Sequence, residues 1–258
     1  MNKVIVPLNA FHHLGVFTKG QEAFFPAIEM AGAFGVEIRR ELLTNVQDEL
    51  AALKNRLREY DFFIVYSAPV ELWRRNGSLN EAEMEWVFKE AVCLGASRIK
   101  VSLGYYDFTE CDMHQLAKFL ERWLPNNIRL LIENDQTEHG GNLESLRTFF
   151  ERAFERKLPI GMTFDTGNWH FVGEDHERAL ESLTTYVEYI HYKYVENQKG
   201  NLVTLPLLED REESWRKIAD VFPSVMLKAL EFPLNSADEI AEYIKMVDKQ
   251  GSESEELV

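Results

Sequence analysis

Eight short β-rich runs, each followed by a longer stretch with helical spacing, constrain this chain more than any other feature. The runs are VIVPL (4–8), VEI (36–38), DFFIVYS (61–67), RIKVSL (98–103), IRLLIE (128–133), IGMTFD (160–165), VEYIHY (187–192) and VMLKALEF (225–232). Between them, apolar residues recur at three- and four-residue intervals. Met84, Val87, Phe88, Ala91 and Cys93/Leu94 form one stripe. Leu143, Leu146, Phe150 and Ala153 form a second, and Ile240, Tyr243, Ile244 and Val247 a third. Gly95 is placed to end the first of these helices, and Ser236 to start the last. Strand and helix alternating eight times in 258 residues match the (β/α)8 TIM barrel in count and size. An open doubly wound sheet competes, but the first turn reads NAFHHLG and lacks the glycine-rich dinucleotide pattern. No Pro/Gly-rich linker divides the chain. The expectation is an α/β fold with one barrel domain over residues 1–250 and an acidic tail over 251–258.

In such a barrel, chemistry gathers where strands end and the following loops begin. Residues 130–137 read LLIENDQT, a buried-looking apolar run ending on Glu133. A carboxylate there is costly unless it is paired, protonated or bound to a metal. The next three strands end in like fashion, with Asp165 in FDTGNWH, His191 in IHYK and Glu231 in LEF. The four residues lie about one strand-plus-helix unit apart, on the order of 30 residues. They therefore face one mouth of the barrel. Three adjacent carboxylates repel one another, and a divalent cation removes that repulsion. Three oxygen donors and one imidazole suit Mn²⁺, Mg²⁺, Co²⁺ or Zn²⁺. Singly, a carboxylate at a strand end is most often a helix cap or an ion-pair partner, and a histidine in an apolar strand is more often a hydrogen-bonded core residue than a ligand. Together, on four successive strand ends, they predict one metal site.

A cation holding a carbonyl and a neighbouring hydroxyl would acidify the adjacent C–H by stabilising an enediolate. Glu133 and Glu231 would act as acid and base from different sides. Lys100, inside an apolar strand, needs a partner: either it holds substrate or it snorkels to the rim. Lys193 shares a strand face with His191 and would meet a substrate carboxylate or phosphate, or else a ligand carboxylate. Asn134 and Asn168 are candidates for orienting a ligand or a substrate hydroxyl, and Glu71 for contact from the third strand's loop. His12 and His13 end the first strand and are not expected as ligands; His139, His170 and His176 read as loop or surface residues. Asn235 and Ser236 stand near a helix start, where an anion could bind.

IENDQT, FDTGN, IHYK and LEF, together with VEIRREL (36–42), SAPVELW (67–73), KVSLG (100–104), LLIENDQTEHGG (130–141) and MTFDTGNW (162–169), resemble the sugar phosphate isomerase/epimerase family of xylose isomerase-like TIM barrels. Within that family they are most similar to epimerases associated with 2-ketogluconate utilisation. The resemblance implies that Glu133, Asp165, His191 and Glu231 hold one divalent metal and that the two glutamates serve as acid and base. The implied activity is a sugar or sugar-acid isomerase or epimerase, on a phosphorylated or unphosphorylated substrate. A dehydratase or lyase acting on a keto-sugar is the alternative. Family members are often dimers or tetramers, so a homo-oligomer is an open option. Two departures stand out: many members have His where Asn168 stands, and Asp where Tyr194 stands. The additional His and Asp ligands of the related AP endonucleases are not found, which argues against that DNA-repair activity.

The net charge of −15 opposes broad binding to phosphate backbones, so no nucleic-acid partner is expected. No apolar run approaches the ~20 residues of a membrane span, and the first run, broken by Pro7, reads as a strand rather than a secretory core. The expectation is a cytoplasmic protein. Cys93 and Cys111 stand in no CxxC or Cys/His spacing, and read as reduced thiols.

Overall fold

All eight β-rich runs become strands of one closed parallel barrel in the computed structural model, which describes residues 3–208, 214–222 and 226–253. The strands are β1 (Val4–Pro7), β2 (Gly35–Arg39), β3 (Phe63–Trp73), β4 (Arg98–Gly104), β5 (Arg129–Glu133), β6 (Ile160–Asp165) and β7 (Val187–Tyr192). An antiparallel hairpin, β8 (Tyr194–Gln198) and β9 (Asn201–Leu205), follows before β10 (Leu227–Leu230). β10 pairs with β7 on one side and β1 on the other, which closes the barrel. The alternating strands and helices thus give the expected (β/α)8 architecture.

Outside the strands, the helical stripes pack as their spacing predicts. In the helix Glu81–Leu94, Met84, Val87, Phe88, Ala91 and Leu94 are buried, and Gly95 ends it in a left-handed conformation at φ 76°. Leu143, Leu146, Phe150 and Ala153 are buried from Leu143–Glu155, as are Ile240, Ile244 and Val247 from Ala237–Glu253. Cys93 is half-buried and Cys111 buried, both as free thiols. Among the described residues, no helix is long and apolar enough to cross a membrane. Residues 251–253 continue the last helix, and 254–258 of the expected tail lie outside the described residues.

Two elements differ from the sequence expectation. β3 continues past Ser67 to Trp73, with a register shift against β4 between Ser67 and Glu71. The irregularity accommodates Pro69, which has no N–H for a regular ladder. Residues 197–201 (NQKGN), a polar stretch between the seventh and eighth β-rich runs, contain the turn of the hairpin. Lys199 and Gly200 sit between the paired Gln198 and Asn201 with φ of 55° and 92°. Two positive φ values in a two-residue turn match the twist of the flanking strands.

Side chains two apart on a strand share a face, and the inward face is layered. Ile5, Val65, Leu131, Tyr189, Leu227 and Ala229 form an apolar plug inside the barrel, apart from the core between strands and helices. One step further along the same strands lie Glu133, His191 and Glu231.

Candidate functional site

The four residues expected as ligands do converge. Glu133, Asp165, His191 and Glu231 each offer a ligand atom within 4.8 Å of the others. His191 Nδ1 lies 3.1 Å from Glu231 Oε2, 3.3 Å from Glu133 Oε1 and 3.9 Å from Asp165 Oδ2. Asp165 and His191 are fully buried.

The local structure divides the duties of Asp165 between its two oxygens. Oδ1 accepts from the backbone N–H groups of Gly167 and Asn168, at 2.9 Å each. Oδ2 is turned into the cluster, where the Lys193 ammonium lies 2.8 Å away. The strand end is further braced by Asn134. Its Nδ2 donates to the Asp165 carbonyl at 3.0 Å, and its Oδ1 accepts from the Asp165 N–H at 2.8 Å. Asn168 Nδ2 donates to the Asn134 carbonyl at 2.8 Å, and Gln136 Nε2 donates to Asn168 Oδ1. The amide of Asn134 therefore braces Asp165 from full burial, and the amide of Asn168 is tied to β5 although the residue lines the cavity.

Glu37 and Arg39, on β2, were not singled out by strand-end reasoning, yet they hold the site together. The Glu37 carboxylate is fully buried and meets His191 Nε2 at 3.0 Å, the Tyr189 hydroxyl at 2.9 Å, Lys100 Nζ at 3.1 Å and Arg39 Nη1 at 2.8 Å. An acceptor at Nε2 holds one imidazole proton there, so that loss of the second leaves the Nδ1 lone pair facing the three carboxylates. Arg39 Nη1 also reaches Glu231 Oε1 at 3.0 Å, and Asn9 Nδ2 donates to the same oxygen at 3.2 Å. The only signal in the sequence was a Glu and an Arg with strand alternation inside VEIRREL.

Both lysines find carboxylates. Lys100 Nζ donates to Glu133 Oε1 at 2.8 Å. Lys193 Nζ lies 2.8 Å from Asp165 Oδ2 and 3.1 Å from Glu231 Oε2. The Lys193 stem lies over Gly167, where a Cβ would come within 2.7 Å of Lys193 Cγ. Glu71 is placed elsewhere: its carboxylate pairs with His139 at 2.7 Å, and the His139 ring stacks on Tyr105. It does not line the cavity at the barrel mouth. The start of the last helix is filled by the chain itself. Glu239 accepts from both the backbone and the side-chain amide of Asn235, and its own N–H donates to Ser236 Oγ. Those donors are thus already taken by a carboxylate of the chain.

The proton affinities follow from this crowding. Burial pushes the Asp165 carboxyl up to about 7, with Glu231 and Glu133 adding to the rise against the pull of Lys193. Burial and Lys100 oppose a charge on His191, but the Glu37 and Glu231 carboxylates outweigh them and raise it to about 9. Burial also acts to raise Glu231, yet Lys193, His191 and Lys100 hold it well below the usual carboxylate range.

The donor set fits a divalent cation. Asp165 Oδ2 and His191 Nδ1 are both buried and both point into one acidic cluster, where Oδ2 has the Lys193 ammonium at 2.8 Å and Nδ1 faces carboxylate oxygens at 3.1 and 3.3 Å. A cation satisfies both atoms at once. Above the cluster opens a cavity of about 580 Å³, with Asn9, His12, His13, Arg39, Lys100, Glu133, Asn168, Lys193, Thr204 and Glu231 in its lining. That volume is within the range of small-molecule sites.

No protein-family model matches the chain. Among curated proteins, ribonuclease HII of Pyrococcus furiosus is 29% identical over 107 residues, covering 42% of this chain; the chain spans 46% of that protein's length. Among solved structures, the chain is similar to a xylose isomerase domain-containing protein of Salmonella typhimurium, with a TM-score of 0.69, 17% identity and 97% of each chain covered. It is also similar to L-ribulose 3-epimerase, with a TM-score of 0.67, 13% identity, and 100% of this chain and 98% of that one covered. A third similar structure is the IOLI protein with a bound zinc atom, with a TM-score of 0.65, 13% identity, and 97% and 98% covered. The fold is that of the xylose isomerase-like barrels. The likeness is one of fold, and it does not support the finer resemblance to the 2-ketogluconate group.

Proposed function

We propose that the protein is a metal-dependent isomerase or epimerase of a sugar or sugar acid. The observation that carries this reading is the convergence of Glu133, Asp165, His191 and Glu231 on one buried point at the floor of a sugar-sized cavity. The fold it shares with sugar epimerases supports the reading. A bound divalent cation would supply a Lewis acid for a substrate carbonyl and its neighbouring hydroxyl.

The chain's own residues would do the rest. In the barrel order Glu133 and Glu231 lie on either side of β7, which carries His191: the first on β5, the second just beyond β10. One removes a proton from the carbon beside the carbonyl, and the other returns a proton from the opposite side, through an enediolate. Return at the same carbon inverts it; return at the neighbouring carbon isomerises aldose and ketose. Lys100 keeps the Glu133 carboxylate in place, and Arg39, Asn9 and Lys193 do the same for Glu231. Asn134 and Glu37 position Asp165 and His191.

Purified protein loaded with Mn²⁺ and incubated in D₂O with a panel of ketoses and keto-acids should place deuterium on carbon with no loss of mass as water or carbon. Loss of water or a carbon fragment would mark a dehydratase or lyase instead. Absence of any exchange over the panel, with the metal bound, would overturn the reading.

A further inference from the structure

Barrel closure pairs β1 with β10 and leaves the large sheet without a first or last strand. Among the described residues, the β8–β9 hairpin is the one sheet with open sides. A lone two-stranded hairpin is marginal in water. Its open edge is also a template for another chain, and proteins commonly guard such edges with charge. This edge carries no guard. Residues 201–208 read NLVTLPLL, without a charged side chain, although 28% of the chain is charged and its net charge is −15. Two copies of so acidic a chain repel one another, and a neutral strand is where that repulsion is weakest.

The turn decides which backbone groups are free. With Lys199 and Gly200 as its two residues, Gln198 and Asn201 form a hydrogen-bonded pair. Along an antiparallel ladder such pairs alternate with pairs whose N–H and C=O groups point away from the facing strand. Glu196–Val203 and Tyr194–Leu205 are therefore bonded pairs, whereas Asn197–Leu202 and Val195–Thr204 are not. The N–H and C=O groups of Leu202 and Thr204 thus face away from β8, and they meet no partner among the described residues. The free stretch is bounded on both sides. The Gly200 N–H donates to Asn197 Oδ1 at 2.8 Å, and Pro206 has no N–H. On β8 the equivalent edge is shielded at Val195, which is buried against Gly167. Leu202 and Thr204 are only half-buried.

Free donors and acceptors on two alternate residues complement themselves. Turned end for end about Val203, a second β9 sets Leu202 opposite Thr204 and Thr204 opposite Leu202. Each pair then exchanges two N–H···O=C bonds, and Val203 faces its own copy between them. We propose that β9 joins two copies of this chain edge to edge, so that two hairpins make one four-stranded antiparallel sheet. The join also reaches the cavity. Thr204 lines it, and residues paired across strands share a sheet face. Leu202 of the partner subunit therefore comes to lie beside Thr204 at the cavity rim.

Sedimentation equilibrium on the full chain, from about 1 to 100 μM, should give the mass of two chains. Val203→Glu sets like charges face to face at the two-fold axis and should give the mass of one chain, with an unchanged circular dichroism spectrum. Leu202→Pro removes a free N–H and no bond of the hairpin, and should weaken association about tenfold or more. Val203→Cys should form a disulfide-linked dimer on mild oxidation, since facing residues in a non-bonded pair lie about 4.5 Å apart at Cα. Gln198→Cys, away from the axis, should not, and neither should the unaltered chain with Cys93 and Cys111. A single-chain mass for the unaltered protein across that range overturns the proposal. A dimer unmoved by Val203→Glu and Leu202→Pro does the same, as does cross-linking of Val203→Cys no better than that of Gln198→Cys. None of these readings involves a sugar or a metal, so their failure would leave the isomerase/epimerase proposal standing.

Discussion

The two layers inside the barrel are built from the same strands and could hardly differ more. In the lower one, Ile5, Val65, Leu131, Tyr189 and Ala229 pack against one another. Two residues further on, Leu131 gives way to Glu133, Tyr189 to His191 and Ala229 to Glu231. The strand pleat sends both members of each pair inward, so backbone geometry does not separate them. Their chemistry does: the plug excludes water, and the layer above keeps charges that only mutual pairing or a cation makes tolerable. The apolar floor lowers the local dielectric for the charged layer, which strengthens each ion pair and raises the cost of leaving any of them incomplete.

The sharpest way to break this contrast is to alter one member of a pair at a time. Glu133→Gln or Glu231→Gln should each lower deuterium exchange by about 10²–10⁴-fold, as loss of a general acid or base does, with the urea unfolding midpoint far less affected than the rate. Leu131→Ala should do the opposite. It should cost about 2–5 kcal/mol of stability in urea titration, with the rate per folded molecule close to that of the unaltered chain. If the Leu131 variant lost exchange while remaining folded, the division of labour between layers would be wrong.

A smaller effect is expected one shell back. Glu37→Gln keeps the shape but weakens the acceptor that orients His191. Metal affinity should drop about 10–100-fold, read by competition with a chelating dye. Affinity for metal should also depend on pH. Asp165, raised to about 7, and His191, raised to about 9, hold protons that a cation must displace. Binding should therefore tighten as pH rises from about 6 to 9 and release protons to the buffer, which calorimetry in two buffers measures. The sign for stability is opposite. Both folded values lie above the unfolded ones, so the stability these protons contribute is complete at low pH and is lost as pH climbs through 7 and then 9. The melting temperature of metal-free protein should fall across that window, and added Mn²⁺ should restore it. The least effect is expected from Glu71→Gln, whose partner is His139 outside the cavity; turnover should be unchanged.

The barrel and its four strand-end donors were legible because both are periodic. Strand runs recur with the helices between them, and each donor closes one run. What escaped was whatever breaks period or reaches across it. Glu37 and Arg39 look like the polar end of any half-buried strand, and their importance comes from contacts to His191 and Glu231 more than 150 residues away. Asn134 follows Glu133 directly, but the pleat turns it from the cavity, and its amide is used up on the Asp165 backbone. Glu71 was set in a loop because β3 was expected to stop at Ser67. The strand's continuation past Pro69 carries the side chain toward His139. The hairpin turn at Lys199 and Gly200 was hidden in a polar stretch with only one glycine to mark it.

Asp165 is the shortest acidic side chain that could stand where it does, and the split use of its two oxygens explains why a longer one would not serve. With one oxygen anchored to the Gly167 and Asn168 amides, the other is fixed to within a bond rotation. A glutamate would have to give up either the turn or the cluster. The tight corner after β6 and the chemistry of the mouth are thus a single constraint on side-chain length, and neither could drift in sequence without carrying the other along.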